Sequence, residues 1–299
     1  MAYLWIVTTL VAAVAQTARN AMQRSLTETL GTVGASQVRF LYGFPFALVF
    51  LALVLAIGGG ASPAPTGRFL LWVLGGAVAQ ILATVLMLAA MRERSFAVAT
   101  AYIKTEPVQV AVFGILVLGD PMSLGAAVAI VVATAGVVLM AVKPGSSFTA
   151  AGTRPAIMGI VSGAFFALSA IGFRGAILEL GQGSFVLRST YTLAWSLGVQ
   201  TTLLLLWLGA FNRRALVKIV RAWRPSLLAG FAGAFASQFW FLGFSLTSAA
   251  NVRTLALVEV LFAQAVSKRL FDQSTSPREI VGMTLIVGGV ILLLWTHGA

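Results

Sequence analysis

Two glutamates stand where glutamates are costly. Glu106 and Glu259 each fall near the middle of a long apolar run. The other six acidic residues, Glu28, Glu93, Asp120, Glu179, Asp272 and Glu279, fall in or near the breaks between runs. A charge at the centre of a bilayer costs about 2.5 kcal/mol or more even on the lenient insertion scale. A carboxylate left without a partner there takes up a proton instead. A glutamate that titrates and faces two sides in turn is a proton-coupling device, and it can equally hold a cationic amine. Its plainer role is to pair with a neighbour and hold helices together.

The flanking residues extend the candidate site. Lys104 lies two positions before Glu106, so the two point to different faces of one helix. Lys104 is therefore expected to reach another helix, with Glu259 as one partner, or a carboxylate or phosphate group of a substrate. Tyr102, four before Glu106, shares its face, and Thr100 stacks over Lys104. Pro107 removes a backbone donor within the run and frees a carbonyl, a break tolerated beside a cavity. In the second half Asn251, Arg253 and Thr254 open the run that carries Glu259. Arg253 is expected to snorkel to the surface, with an anionic group as the alternative. Gln238 and Trp240 sit in the preceding run, where a tryptophan packs more often than it stacks on a ligand. Gln16, Gln80 and Gln109 are weaker pore-lining candidates. Arg39 and Arg188 begin runs and are expected to snorkel.

Several chemistries lack their residues. The chain has no cysteine, which removes disulfides, thiol nucleophiles and cysteine-based metal sites. Its only histidine, His297, is the third residue from the end with no partner nearby in sequence. No phosphate-binding glycine loop, metal-ligand cluster or hydrolytic triad is present, so no enzyme, cofactor or metal is expected. The net charge of +12 would suggest nucleic acid in a soluble protein. Here the basic residues form short clusters between apolar runs, and no nucleic-acid partner is expected.

The elements that must carry these residues are membrane helices. Of 299 residues 59% are hydrophobic and only 9% charged, against roughly 25% in a soluble domain. Mean hydropathy is +0.97. That leaves no polar shell for water but suits lipid. A helix spans the hydrocarbon in about 20 residues. Ten apolar runs lie near 3–24, 35–57, 68–91, 95–118, 122–142, 155–174, 184–208, 225–245, 248–270 and 277–296. They are too long and too uniformly apolar for the strands of a barrel. The first is expected to be a retained span rather than a cleaved signal. Breakers separate the runs: Gly58-Gly59-Gly60 with Pro63 and Pro65, Gly119-Asp120-Pro121, and Lys143-Pro144-Gly145.

The two halves align. At an offset of 153, Ser95 meets Ser248, Glu106 meets Glu259 and Gly136 meets Gly289. Slightly shorter offsets carry Arg24 onto Arg174 and Arg39 onto Arg188. Two five-helix repeats are expected, at 1–143 and 154–299. Because five is odd, the repeats enter the membrane from opposite faces and are inverted, the plan of many secondary transporters, whose substrates bind at mid-depth. If loops alternate sides, fifteen basic residues, Arg19, Arg24 and Arg39 among them, share one aqueous side, and Arg68, Arg174, Arg188 and Arg253 the other, with Lys104 inside a span. The bias places both termini outside the cytoplasm, in a cell (inner) membrane.

On these features the sequence resembles the drug/metabolite transporter superfamily in its EamA-like, ten-helix branch. The resemblance covers nearly the whole chain. It rests on the five-plus-five layout, on Pro107 through Leu118-Gly119-Asp120-Pro121, on Gly125 and Gly136, and on Arg39 and Arg188. The second half departs from the pattern, reading Phe271-Asp272-Gln273 without the proline and placing Val260 opposite Pro107. The resemblance implies export or exchange of amino acids, other metabolites or drugs, and termini in the cytoplasm, against the charge bias. The residues and the resemblance together lead to an all-α secondary transporter of a small metabolite, working by alternating access. Glu106 and Glu259 would hold a proton or an amine, and Lys104 a carboxylate or phosphate. One alternative is a flippase or transporter for an anionic or lipid-linked headgroup, favoured if Arg253 and Lys104 line one cavity. Another is a membrane receptor or assembly protein that moves nothing.

Overall fold

The computed structural model of the chain describes residues 3–58, 62–93, 102–141, 150–261 and 276–298. These residues are helical wherever they are regular, with no strand among them. Helix α1 covers Leu4–Gly58 in two limbs that meet at Gly31. There φ is 72° and ψ 173°, a backbone conformation reserved in practice for glycine. A Cβ on Gly31 would meet nothing within 4 Å, so the backbone angle, and not crowding, demands the residue. Gln23 Nε2 donates to the Ala35 carbonyl at 3.0 Å and ties the limbs together across the bend. Gly31→Ala is expected to cost about 1–3 kcal/mol of stability. A thermal melt of the purified variant checks this, and an unchanged melting temperature would show that the bend is not held.

Next come α2 (Gly67–Glu93), α3 (Glu106–Phe113), a π-helical stretch (Gly114–Leu118) and α4 (Leu124–Ala141). The second half brings α5 (Ala150–Glu179), α6 (Phe185–Phe211), α7 (Arg213–Arg221), α8 (Trp223–Leu246) and α9 (Ala249–Leu255). A 3₁₀ turn at Ala256–Val258 follows, and α10 is Pro277–Gly298.

Among the described residues, six helices are long and apolar enough to cross a membrane: Ser25–Gly58, Gly67–Arg92, Ala156–Glu179, Phe185–Phe211, Trp223–Leu246 and Pro277–Thr296. Glu106–Leu118 and Leu124–Met140 are shorter apolar helices. Each of the ten expected runs falls at least partly on a described helix. The start of the run at 95–118 and the end of the run at 248–270 lie outside the described residues.

Small residues bring the helices close. The most extensive contacts are α1 with α8, α2 with α5, and α4 with α10. A Cβ on Gly172 of α5 would lie 2.8 Å from Gly76 Cα of α2, and one on Gly289 of α10 would lie 2.7 Å from Ala133 N of α4. Without a hydrophobic drive between helices in lipid, such close approach supplies the packing. Gly75 and Gly288, adjacent in sequence to two of these glycines, meet nothing within 4 Å.

One element is unexpected. The stretch between the seventh and eighth runs is not a plain loop but α7. Asn212 caps it, its side chain accepting from Ala215 N. Ala215 and Ile219 are buried, while Arg213, Arg214, Lys218 and Arg221 face outward. The Tyr42 hydroxyl of α1 donates to the Ile219 carbonyl at 3.1 Å and pins the helix to the bundle.

Candidate functional site

Both mid-run glutamates sit where helical hydrogen bonding is interrupted. Lys104 and Thr105 form a turn directly before Glu106 opens α3, and the Ala256–Val258 3₁₀ turn directly precedes Glu259. Pro107 cannot donate to the Ile103 carbonyl. A Cβ on Gly163 would lie 2.9 Å from that oxygen, so a glycine lets α5 pack against the freed group. Broken helices of this kind put backbone and side-chain polar groups at one depth.

The charges are paired in a crossed fashion. Lys104 Nζ meets Glu259 Oε1, and Arg253 Nε lies 3.0 Å from Glu106 Oε1. Each glutamate is thus neutralised by a cation from the other half of the chain. All four residues are buried, at 4% exposure for Glu106, 6% for Lys104 and Arg253, and 7% for Glu259. The Arg253–Glu106 pair is close but poorly aligned, and neither Arg253 Nε nor Glu106 Oε1 has a hydrogen-bond partner of good geometry. Arg253 does not snorkel. At the fifth position of the helix capped by Ser248, its guanidinium lies 4.3 Å from the centre of the Trp240 ring and 5.4 Å from that of Phe244. Trp240 is therefore an aromatic floor under a buried cation, held in place by an Nε1 hydrogen bond of 2.9 Å to Gln16 Oε1.

Lys104, Glu106 and Arg253 of this cluster line a small cavity of about 20 Å³, room for about one water molecule. Gln16, Arg19, Asn20, Lys104, Glu106 and Arg253 line its polar side, and Met87, Met91, Ile103 and Phe166 its apolar side. Three other candidates lie apart from it. Gln238 donates to Thr190 Oγ1 of α6 at 2.9 Å. Asn251 Nδ2 donates to Thr247 Oγ1 at 3.1 Å, and Asn251 lines a separate cavity of about 350 Å³ with Ser123, Ser248 and Thr296. Tyr102 is half-buried, and its carbonyl accepts from Thr105 Oγ1. Of the weaker candidates, Gln80 accepts from Gln200 at 2.8 Å, and Gln109 donates to Thr105.

Two arginines expected near the surface are in the interior. Arg19 is 1% exposed and Arg39 is 2% exposed. Arg19 belongs to a polar stripe on the first limb of α1, Gln16, Arg19, Asn20 and Gln23, spaced at i, i+3, i+4 and i+7 on one helix face. That spacing was the available signal. Gln23, Arg19 and Asn20 are all buried.

A third, largely buried ion pair closes the Asp120 end of the bundle. Arg174 of α5 binds Asp120 through two bonds, Nη2 to Oδ1 at 3.1 Å and Nε to Oδ2 at 3.3 Å. Its Nη1 donates to the Phe244 and Thr247 carbonyls at the end of α8. One guanidinium thereby joins α5, the turn after the π-helical stretch, and the end of α8.

Comparison with known proteins agrees with this architecture. Residues 3–142 match the EamA-like transporter family, whose members are transporters and not enzymes, in line with the drug/metabolite transporter superfamily. No curated protein matches the sequence. Twenty-nine chains of solved structures match in fold. One of them, described only as "Crystal structure of protein", superposes with a TM-score of 0.66 at 16% identity, covering 97% of this chain and 94% of its own. At that identity the likeness shows the fold alone.

Proposed function

We infer that this chain, a multi-pass membrane protein whose residues 3–142 match the EamA-like transporter family, carries a small charged metabolite across the bilayer by alternating access. The observation that carries the reading is the crossed pairing of Lys104 with Glu259 and of Arg253 with Glu106, with Lys104, Glu106 and Arg253 lining one small cavity. A site assembled from both halves of the chain opens when the halves move apart, which is what alternating access requires. The pairs also give the cargo something to compete for. A proton on Glu106 releases Arg253, and a substrate anion takes a glutamate's place.

The architecture in this reading is ten helices in two inverted repeats, 1–143 and 154–299, with the cavity at mid-depth. The match of Glu106 with Glu259, each behind a helical break, supports it. Both termini lie outside the cytoplasm of an inner membrane. Withdrawing the buried Arg19, Arg39 and Arg253 from the charge count leaves thirteen basic residues against three. The exposed arginines and lysine of α7 lie on the richer side, as the positive-inside rule requires of a cytoplasmic face.

The alternative of an anionic or lipid-linked headgroup as cargo draws support from Lys104 and Arg253 lining the same cavity. The test needs no guess at the substrate. Cells expressing wild type or the Glu106→Gln/Glu259→Gln variant at matched levels are profiled for small molecules inside and in the medium. A solute displaced only by wild type is the expected result. If no solute moves with either protein, the transport reading falls and a receptor role takes its place.

A further inference from the structure

The buried cluster holds more positive charge than its carboxylates can balance. Among the described residues, the charged side chains buried in the protein are Arg19, Arg39, Lys104, Arg253, Glu106 and Glu259. Lys104 and Arg253 take up the two glutamates. Arg19 and Arg39 are left with neutral partners. Asn20 Oδ1 accepts from Arg19 Nε at 3.2 Å and Nη2 at 2.7 Å, and Thr84 Oγ1 accepts from Arg39 Nη1 at 3.3 Å. Arg19 Nη1 and Arg39 Nε are sealed from solvent with no acceptor. A guanidinium keeps its charge throughout the physiological range. Two positive charges are therefore held in the interior without an ion pair of their own, Arg19 having only the Glu259 carboxylate, already paired with Lys104, within electrostatic reach, an arrangement that folding alone does not favour.

The two side chains lie together, and one of them opens onto the cavity. A Cβ placed on Gly233 of α8 would sit 3.2 Å from Arg39 Cγ and 3.6 Å from Arg19 Cδ, so one glycine seats both stems. Arg19 lines the central cavity beside Lys104 and Arg253. A cationic amine entering there meets one carboxylate, Glu106, which already faces Arg253. An anion meets donors that have no acceptor.

We propose that Arg19 and Arg39 are the receptor for an anionic oxygen group, a carboxylate or a phosphate, on the transported molecule. The proposal rests on the transport reading above. The planar fork of a guanidinium presents paired N–H donors to two oxygens of such a group. The bound anion supplies the charge that the fold leaves out. In this conformation the cavity is too small for a whole metabolite, so the site receives its cargo only when the halves have parted.

The test reads binding without flux. Purified protein is placed in phosphatidylcholine nanodiscs in HEPES, and its melting temperature is followed during titration with sodium acetate, sodium phosphate or sodium chloride. Acetate or phosphate is expected to raise it saturably, by roughly 5 °C at a large excess over Kd. Arg19→Gln is expected to abolish the shift and, without anion, to melt no lower than wild type, because it removes a charge that had no ion pair of its own. Arg19→Lys keeps the charge and retains part of the shift. Arg213→Gln on the exposed α7 leaves it unchanged. Should Arg19→Gln fail to fold, Arg39→Gln is read in the same way. A shift seen only with phosphatidylglycerol in the nanodisc, and lost in Arg19→Gln, puts the anionic group on a lipid headgroup and upholds the site. The proposal is overturned by an equal shift in Arg19→Gln, by chloride acting as well as acetate or phosphate, or by no shift with any free anion or anionic lipid. An Arg19-dependent shift in a protein that moves nothing would sink the transport reading alone. Flux without such a shift would sink the anion site alone.

Discussion

Arg253→Met is expected to be among the most destabilising single substitutions in the chain, by about 3–5 kcal/mol. It leaves Glu106 buried without its cation, so the carboxyl must bear its charge unpaired or take up a proton, and either way the helix contact is lost. The reverse change, Glu106→Gln, is expected to cost less. The stranded Arg253 still rests on the face of Trp240, and a desolvated cation–π contact is worth about 2 kcal/mol. Arg253→Met/Glu106→Gln removes both charges and is expected to recover most of the loss, since replacing a whole buried pair is often neutral. Thermal melts of the three variants close a double-mutant cycle. If Arg253→Met melts with wild type, the pair is not formed in the folded protein.

The second large effect is on pH dependence. In proteoliposomes holding the substrate found by profiling, wild-type transport is expected to respond to an imposed pH gradient. Glu106→Gln is expected to lose that response while remaining folded. The coupling follows from the pairing, because a proton on Glu106 cancels the charge that holds Arg253 in place. Glutamine mimics the protonated state permanently. A Glu106→Gln protein that transports with the wild-type pH profile would remove Glu106 from any coupling role and leave it a structural partner of Arg253.

The sequence was informative about this site to different depths. Lys104 on Glu259 could be anticipated, because a lysine two positions from Glu106 cannot share its face and must turn to another helix. Arg253 was misread. Counted from the edge of an apolar run it looked close enough to the surface to snorkel, whereas the Glu106 carboxylate and the Trp240 ring, both distant in sequence, hold it inside. Arg19 and Arg39 were misread for a related reason. Counting basic residues by loop assigns each one to an aqueous side, and the polar stripe through Gln16, Asn20 and Gln23 shows only when the helix is read by face. Gln238 lies within the run before Glu259 and Asn251 opens the run of Glu259, but their amides are turned toward Thr190 and Thr247. Hydropathy fixes how deep a side chain lies, and rotation about the helix axis, set by packing, decides what it meets. The helix α7 was hidden by its charges, although its buried pair Ala215 and Ile219 stands at the i, i+4 spacing behind an Asn212 cap.

The crossed pairs also set a timetable for biosynthesis. In the chain, 147 residues separate Glu106 from Arg253, and 155 separate Lys104 from Glu259. At about 5–20 residues per second a ribosome takes roughly 7–31 s to cover those distances. Through that interval the leading half waits at the translocon with a lysine and a glutamate whose partners do not yet exist. Neither half can complete its own interior, and a nascent chain stalled between them would present those two charges to whatever quality-control machinery surveys the membrane.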